Sequence, residues 1–299
     1  MLHVVKPHDS LLGIAKQHGI IVDSIMESNV ICNPNYIYIG QPLIISEPGL
    51  SLPKAGGTPY YVVNYGDTIG CLAKQFGKTV YSLGRVNKLK NSNEMFHGME
   101  LLVTYNEHNN LQHLFQLWNT IEFKDITGRI YLAYVEQFED ETFSWESFGE
   151  KAAPYLMELL NHQNSFIRYY AVKSLGRIGK GNDTFKALQK ALKDSDSDVL
   201  SVAQLALKRY QLIPRWTKRI HIVLNETKLL SSPHLTSSSI SIARGTPVFV
   251  SRWYIPSPTQ EINDFTFAVR TQIYDQIQVV ETGAIGYLPR DYLQTISLL

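Results

Sequence analysis

The chain is poor in the features that most often announce a function. Of its 299 residues only two are cysteine, Cys32 and Cys71, and no Cys/His cluster has the spacing of a zinc site. The pair is expected to behave as two unpaired small apolar side chains, so the protein is not a disulfide scaffold. The net charge is +1, which excludes a global pull toward nucleic acid or acidic lipid. No run of about 18 apolar residues exists, so no segment is expected to span a membrane. The N-terminal MLHVVKPHDS lacks the basic and apolar regions of a signal peptide. The chain is therefore expected to be synthesised in the cytoplasm, and to stay there or in a compartment assembled from it.

Catalytic signatures are missing as well. There is no His-Glu-x-x-His helix and no nucleophile elbow around a serine, and both cysteines fall outside any catalytic domain. A glycosidase needs two carboxylates facing across a sugar cleft. Glu139, Asp140 and Glu141 are instead adjacent, and such a run reads as solvated surface. The expectation is a non-enzyme with no cofactor and no metal. What remains is an ordinary globular composition, 44% apolar and 18% charged, with 17 tyrosines. Tyrosines in this number suit surface contact with carbohydrate or protein, and equally a β core.

The strongest positive signal is internal duplication. Residues 3–45 and 61–103 align without a gap at an offset of 58, with 14 of 43 positions identical. Asp9 falls on Asp67, Ala15-Lys16-Gln17 on Ala73-Lys74-Gln75, and Gly19 on Gly77. Asn29, Asn33, Asn35 and Gly40 fall on Asn87, Asn91, Asn93 and Gly98. A fixed-period repeat marks a structural unit used twice. Each copy reads strand, helix, helix, strand. Asp9-Ser10 and Asp67-Thr68 supply N-cap chemistry, and Gly19 and Gly77 suit the left-handed residue that ends a helix. The cysteines occupy non-equivalent places in the two copies. The segment Glu47–Thr58, with two Pro and three Gly, is expected to let the copies orient semi-independently.

This order, with His3-Val4-Val5-Lys6-Pro7-His8-Asp9-Ser10-Leu11 and Asn33-Pro34-Asn35-Tyr36-Ile37-Tyr38-Ile39-Gly40-Gln41-Pro42-Leu43, resembles the LysM family. The same pattern recurs at Tyr61–Ile69 and Asn91–Leu101. The resemblance implies binding of N-acetylglucosamine polymers, peptidoglycan or a chitin-like glycan, in a shallow groove between two loops. It implicates Asp9, Ser10, Leu11 and Leu12 with Asn33, Pro34, Asn35 and Ile37 in the first copy. In the second it implicates Gly66, Asp67, Thr68 and Ile69 with Asn91, Asn93 and Met95. The same Asp and Asn residues equally suit helix caps and turns. His8 stands where the family favours Gly, and Gly70 where a bulky residue often packs. LysM modules without a signal peptide resemble those of spore-envelope proteins, which implies a spore cortex surface or cell-wall location.

From about Leu111 to Gln211 the apolar period becomes helical. Leu156, Leu160, Ile167, Ala171 and Leu175 match Leu188, Leu192, Val199, Ala203 and Leu207 at an offset of 32. Ser165–Val172 against Ser197–Ala203 resembles short HEAT-type repeats, implying a solenoid that spaces modules or docks a protein. After Pro214, strands are expected over Arg219–Leu224, Thr246–Arg252, Thr266–Ile273 and Gln276–Glu281. Gly283–Leu293 and Gly245–Val250 resemble an SH3-type barrel, in which Trp253, Tyr254, Tyr287 and Tyr292 would line a groove or pack the core.

The expected fold class is thus multidomain α+β: two βααβ modules, a short helical solenoid and a C-terminal all-β SH3-like barrel. The expected divisions are 1–46, a linker 47–59, 60–104, 105–213 and 214–299. The expected function is a non-catalytic peptidoglycan-binding scaffold. A protein partner would dock through the helical repeats or the barrel, and no nucleic acid is expected. The alternatives are a cytoplasmic protein-interaction adaptor and a regulatory subunit that positions a separate wall hydrolase.

Overall fold

A computed structural model of the chain describes residues 2–45, 54–107, 110–121, 129–257, 261–262, 269–291 and 295–299. The chain divides into two compact units. The first holds Met1–Val103, Thr227–Ser241 and Val250–Gln294; the second holds Thr104–Glu226, Ile242–Phe249 and Thr295–Leu299.

In the first unit the duplication is visible strand by strand. The first copy has β1 (Leu2–Val4), α1 (Leu11–His18), α2 (Val22–Ser28) and β2 (Pro42–Ile44). The second has β3 (Tyr60–Val62), α3 (Ile69–Gln75), α4 (Val80–Val86) and β4 (Glu100–Leu102). Each pair of strands is antiparallel, and His3 faces Leu43 as Tyr61 faces Leu101. Ser10 and Thr68 cap the first helix of each copy, accepting from the Gly13 and Cys71 amides at 3.1 and 3.2 Å. Ile14, Ile25 and Leu43 fill the first core; Leu72, Leu83 and Leu101 fill the second.

One duplicated residue closes each module. The Asn29 side-chain amide donates to the Ile25 and Ile44 carbonyls, both at 2.8 Å, and its oxygen accepts from the Ile44 amide at 2.8 Å. Asn87 repeats the arrangement with Leu83 and Leu102 at 3.0, 2.9 and 2.7 Å. Helix end and closing strand are thereby joined by three bonds through a single side chain.

The copies do not orient independently. Val30, from the first copy, is part of the hydrophobic cluster of the second. Gln75 donates to the Ile31 carbonyl at 3.2 Å. Cys32 and Cys71 form a disulfide across the two copies, so the expectation of two unpaired side chains is overturned. Residues 47–53 of the expected linker lie outside the described residues. Ala55, just after it, pairs with Asn29, and Gly56 pairs with Trp253.

The rest of this unit is antiparallel sheet. Its strands are β6 (Thr227–Leu230), β7 (Ser239–Ile242), the later part of β8 (Pro247–Pro256), β11 (Ile273–Val279) and β12 (Ile285–Pro289), in the order β8-β11-β12-β6-β7. A separate ribbon pairs β9 (Glu261–Ile262) with β10 (Val269–Arg270). Among the described residues this sheet is an open ladder, with no closed barrel detected. It also packs on the duplicated modules. Arg252 donates to the Pro42 carbonyl at 2.7 Å, and Arg290, held by Asp275 at 2.8 and 3.0 Å, donates to the Thr58 carbonyl. Trp253 is fully buried against Tyr60, with ring centroids 5.2 Å apart. It therefore lines no groove. Tyr254 is buried beneath the Arg290 guanidinium, Tyr287 is half-buried, and Tyr292 lies outside the described residues.

The second unit is helical: α5 (Leu111–Asn119), α6 (Arg129–Phe148), α7 (Ala153–Leu159), α8 (Ser165–Ile178), α9 (Asn182–Ala191) and α10 (Ser197–Leu212). The offset of 32 is kept in its caps. Asn164 accepts from the Phe166 amide, and Asp196 from the Asp198 and Val199 amides. The unit also holds β5 (His221–Ile222), which pairs with the opening residues of β8, and the terminal Leu299, which exchanges backbone bonds with Ile222 at 3.0 and 3.1 Å. Helices α8 and α10 approach closely at Gly176, where an added Cβ would lie 2.9 Å from the Ala206 Cβ and 3.1 Å from Leu299. Gly176→Ala is expected to lower the stability of this unit by about 1–3 kcal/mol despite the better helix propensity of alanine. Urea unfolding followed by circular dichroism measures it.

The acidic run on α6 is exposed only at Asp140. Glu139 and Glu141 are buried, at 5% and 6% exposure. Glu139 accepts from Lys173 at 2.5 Å and from Arg177 at 2.6 Å. Glu141 accepts from the Trp118 indole. Among the described residues no helix is long and apolar enough to cross a membrane.

Candidate glycan-binding site

The expected site residues fall on two loops per module. In the first loop Asp9 braces the turn: its Oδ2 accepts from the Lys6 amide and from His3 Nε2, both at 2.8 Å. These donors, the Lys6 amide first and His3 second, hold the Asp9 carboxyl below the usual carboxylate range. The far nitrogen of His3 lies 3.2 Å from His18 Nε2. In the second module Asp67 Oδ2 accepts from the Asn64 amide at 2.8 Å and the Tyr61 hydroxyl at 2.6 Å. Burial pushes this carboxyl up, against the opposing pull of those hydrogen bonds. The duplicated aspartates thus hold the same loop in opposite electrostatic settings.

The second loop is an Asx turn in both copies. Asn33 Oδ1 accepts from the Asn35 amide at 3.0 Å, and Asn91 Oδ1 from the Asn93 amide at 2.9 Å. These bonds leave the rest of the loop outward. Ser10, Leu12, Asn33, Pro34 and Asn35 are exposed, as are Gly66, Thr68, Asn91 and Asn93. Ile37 and Met95 are half-buried, packed on the module cores. Leu11 and Ile69 are buried in those cores, at 3% and 8% exposure, so neither presents its side chain to a ligand.

The two departures from the LysM pattern have local causes. His8 sits at φ 70, in the same left-handed turn that Gly66 makes at φ 82, a conformation that disfavours a side chain. Gly70 is exposed on α3, with open space where a Cβ would be.

Between the modules lies a group of residues that the sequence did not single out. The disulfide joins Cys32, next to Asn33, to Cys71, on the helix that follows Gly66–Ile69. A Cβ built on Gly66 would meet the Asn33 Cβ at 4.0 Å. Tyr36 and Tyr65 approach edge to face, with centroids 6.4 Å apart and planes at 68°. Tyr65 in turn stacks on His97 at 3.9 Å and 17°. The signal available in the sequence was position: each cysteine flanks a candidate ligand loop, one in each copy.

Residues 3–46 and 61–104 match the LysM domain. Both modules are LysM domains. Residues 144–208 match HEAT repeats. Among relatives, the N-acetylmuramoyl-L-alanine amidase sle1 of Staphylococcus epidermidis is 33% identical over 96 residues, 30% of this chain and 29% of that protein. The enzyme of the same name from Staphylococcus aureus is 32% identical over 96 residues, 30% of this chain and 28% of that protein. The chain thus spans less than a third of the length of these relatives. Among solved structures, the spore cortex-lytic enzyme SleL of Bacillus megaterium aligns over 97% of this chain and 88% of that one, at 11% identity and a TM-score of 0.18. At that score the alignment carries no argument. The LysM match on both modules implies peptidoglycan binding.

Proposed function

We propose that the protein is a non-catalytic scaffold that grips the N-acetylglucosamine polymer of peptidoglycan through its LysM pair. The helical repeats and the C-terminal sheet, read as an SH3-type element, would hold or space a protein partner at the wall. The observation that carries this is the LysM match at 3–46 and 61–104, together with the same two-loop geometry in each module. Relatives named for acting on N-acetylmuramoyl-L-alanine support the same class of ligand. The disulfide counts against the cytoplasmic adaptor, because disulfides persist in oxidising compartments and are rare in the cytosol. The spore cortex and the vegetative wall are two settings for the same grip.

The protein is expected to co-sediment with purified, insoluble peptidoglycan and to release no soluble fragments from it. Asn35→Ala combined with Asn93→Ala is expected to reduce retention several-fold without changing the melting temperature. No retention of the wild type would sink the glycan reading; release of muropeptides would sink the non-catalytic one.

A further inference from the structure

We infer that the two LysM domains act as one composite glycan site centred on their junction, in which the Tyr36–Tyr65–His97 row is the stacking platform for a single β-1,4-linked N-acetylglucosamine oligomer. This rests on the glycan-binding function proposed above and replaces two separate grips with one.

Three observations converge. First, the loops that meet at the junction are the second loop of the first module and the first loop of the second, each half of a candidate site. The Cys32–Cys71 disulfide holds them together, and a Cβ on Gly66 would lie in ordinary contact with the Asn33 Cβ, at 4.0 Å. Second, the aromatic row is continuous across the junction. Tyr36 belongs to one module and Tyr65 and His97 to the other, yet Tyr36 and Tyr65 remain 43% and 60% exposed. A pyranose ring presents an apolar C–H face and a polar rim, which suits a tyrosine with its apolar body and polar tip. Exposed Asn35 and Thr68 lie on the same two loops, where they supply polar groups for hydroxyl and acetamido partners. Third, the junction is already ordered. Val30 sits in the neighbouring module's core and Gln75 bonds the Ile31 carbonyl, so little conformational freedom is lost on binding.

The occupant follows from the flanking loops. Both belong to LysM domains, and each contributes a ring to the aromatic row, Tyr36 from one and Tyr65 from the other. A polymer suits this surface better than a monosaccharide, since the three rings, with successive centroids 6.4 and 3.9 Å apart, offer more stacking surface than one pyranose covers.

The test is isothermal titration of the full-length protein with soluble chitin oligomers of increasing length. The expected result is one long oligomer per protein, with affinity rising steeply once the oligomer is long enough to bridge the junction. Tyr65→Ala and Tyr36→Ala are each expected to weaken the long oligomer about tenfold, equivalent to about 1.4 kcal/mol, while leaving the melting temperature unchanged. Tyr65→Phe is expected to retain most of the affinity. Two equivalent oligomers per protein, or Tyr65→Ala with wild-type affinity for the long oligomer, overturns the composite site and leaves the glycan-binding function standing. Absence of binding to both oligomers and insoluble peptidoglycan overturns both.

Discussion

Glu139→Gln is expected to destabilise the helical unit by about 3–5 kcal/mol, the range found when one partner of a buried ion pair is removed. The reason lies in the company the carboxylate keeps. Lys173 and Arg177 are 5% and 1% exposed at the side chain, and both donate to it. Arg177 lies over the Phe143 ring at 4.1 Å, and its Nε and Nη1 find no acceptor among the described residues. Glutamine leaves two buried cations with a neutral amide between them. Thermal melting at neutral pH measures the loss. A pH series adds a second check. Burial raises the Glu139 carboxyl, but Lys173 and then Arg177 more than reverse that, so its folded pKa lies below the usual 4.5. A carboxyl lowered on folding contributes stability that is complete above about pH 4.5 and is lost as the pH falls through the folded value. The gap between wild type and Glu139→Gln is therefore expected to be widest near neutrality and to narrow in acid. A gap that stays constant down to acid pH would mean the cost is one of packing rather than charge.

The second large effect belongs to the duplicated asparagines. Asn29→Ala strips three hydrogen bonds at once and leaves the Ile25 and Ile44 groups unsatisfied in a fully buried setting. The expected cost is on the order of 3 kcal/mol. Asn87→Ala removes the same three bonds where the residue is half-buried, so water can recover part of the loss and about 1–2 kcal/mol is expected. Asn29→Asp is expected to be as harmful as alanine, since a carboxylate cannot donate to the two carbonyls. Hydrogen exchange of the Ile44 and Leu102 amides reads each site separately. Equal effects at the two positions would contradict the burial difference.

These residues also show which parts of the fold were legible. The modules were readable because their determinants are local: a cap, a left-handed glycine and an Asx turn each act over a few residues, and each appears twice. The helical repeats were readable through apolar residues that recur at an offset of 32, such as Leu156 with Leu188 and Ala171 with Ala203. What escaped depended on partners far along the chain. Glu139 looked solvated because Lys173 and Arg177 stand 34 and 38 residues away. Cys32 and Cys71 looked unpaired because the repeat aligns them with Lys90 and Gly13, and a bond between copies leaves no mark in the period. Strand β7 was hidden in the serine-rich stretch that follows β6. Most of β7 is exposed, and its place is fixed by pairing, including the Ser231 amide donating to the Ser238 carbonyl at 2.9 Å. Of the candidate site, Ser10, Leu12, Asn33, Pro34, Asn35, Gly66, Thr68, Asn91 and Asn93 are exposed on the surface. Leu11 and Ile69 were drawn inward by the helices they begin.

The interleaving of the two units constrains how the protein can be made and cut. The chain passes from one unit to the other after Val103, Glu226, Ser241, Phe249 and Gln294. As the ribosome delivers the polypeptide, the LysM pair emerges well before Arg252 and Arg290, which grip Pro42 and Thr58. Leu299, packed beside Gly176, is delivered later still. A cut between residues 226 and 294 would remove pieces from both units at once.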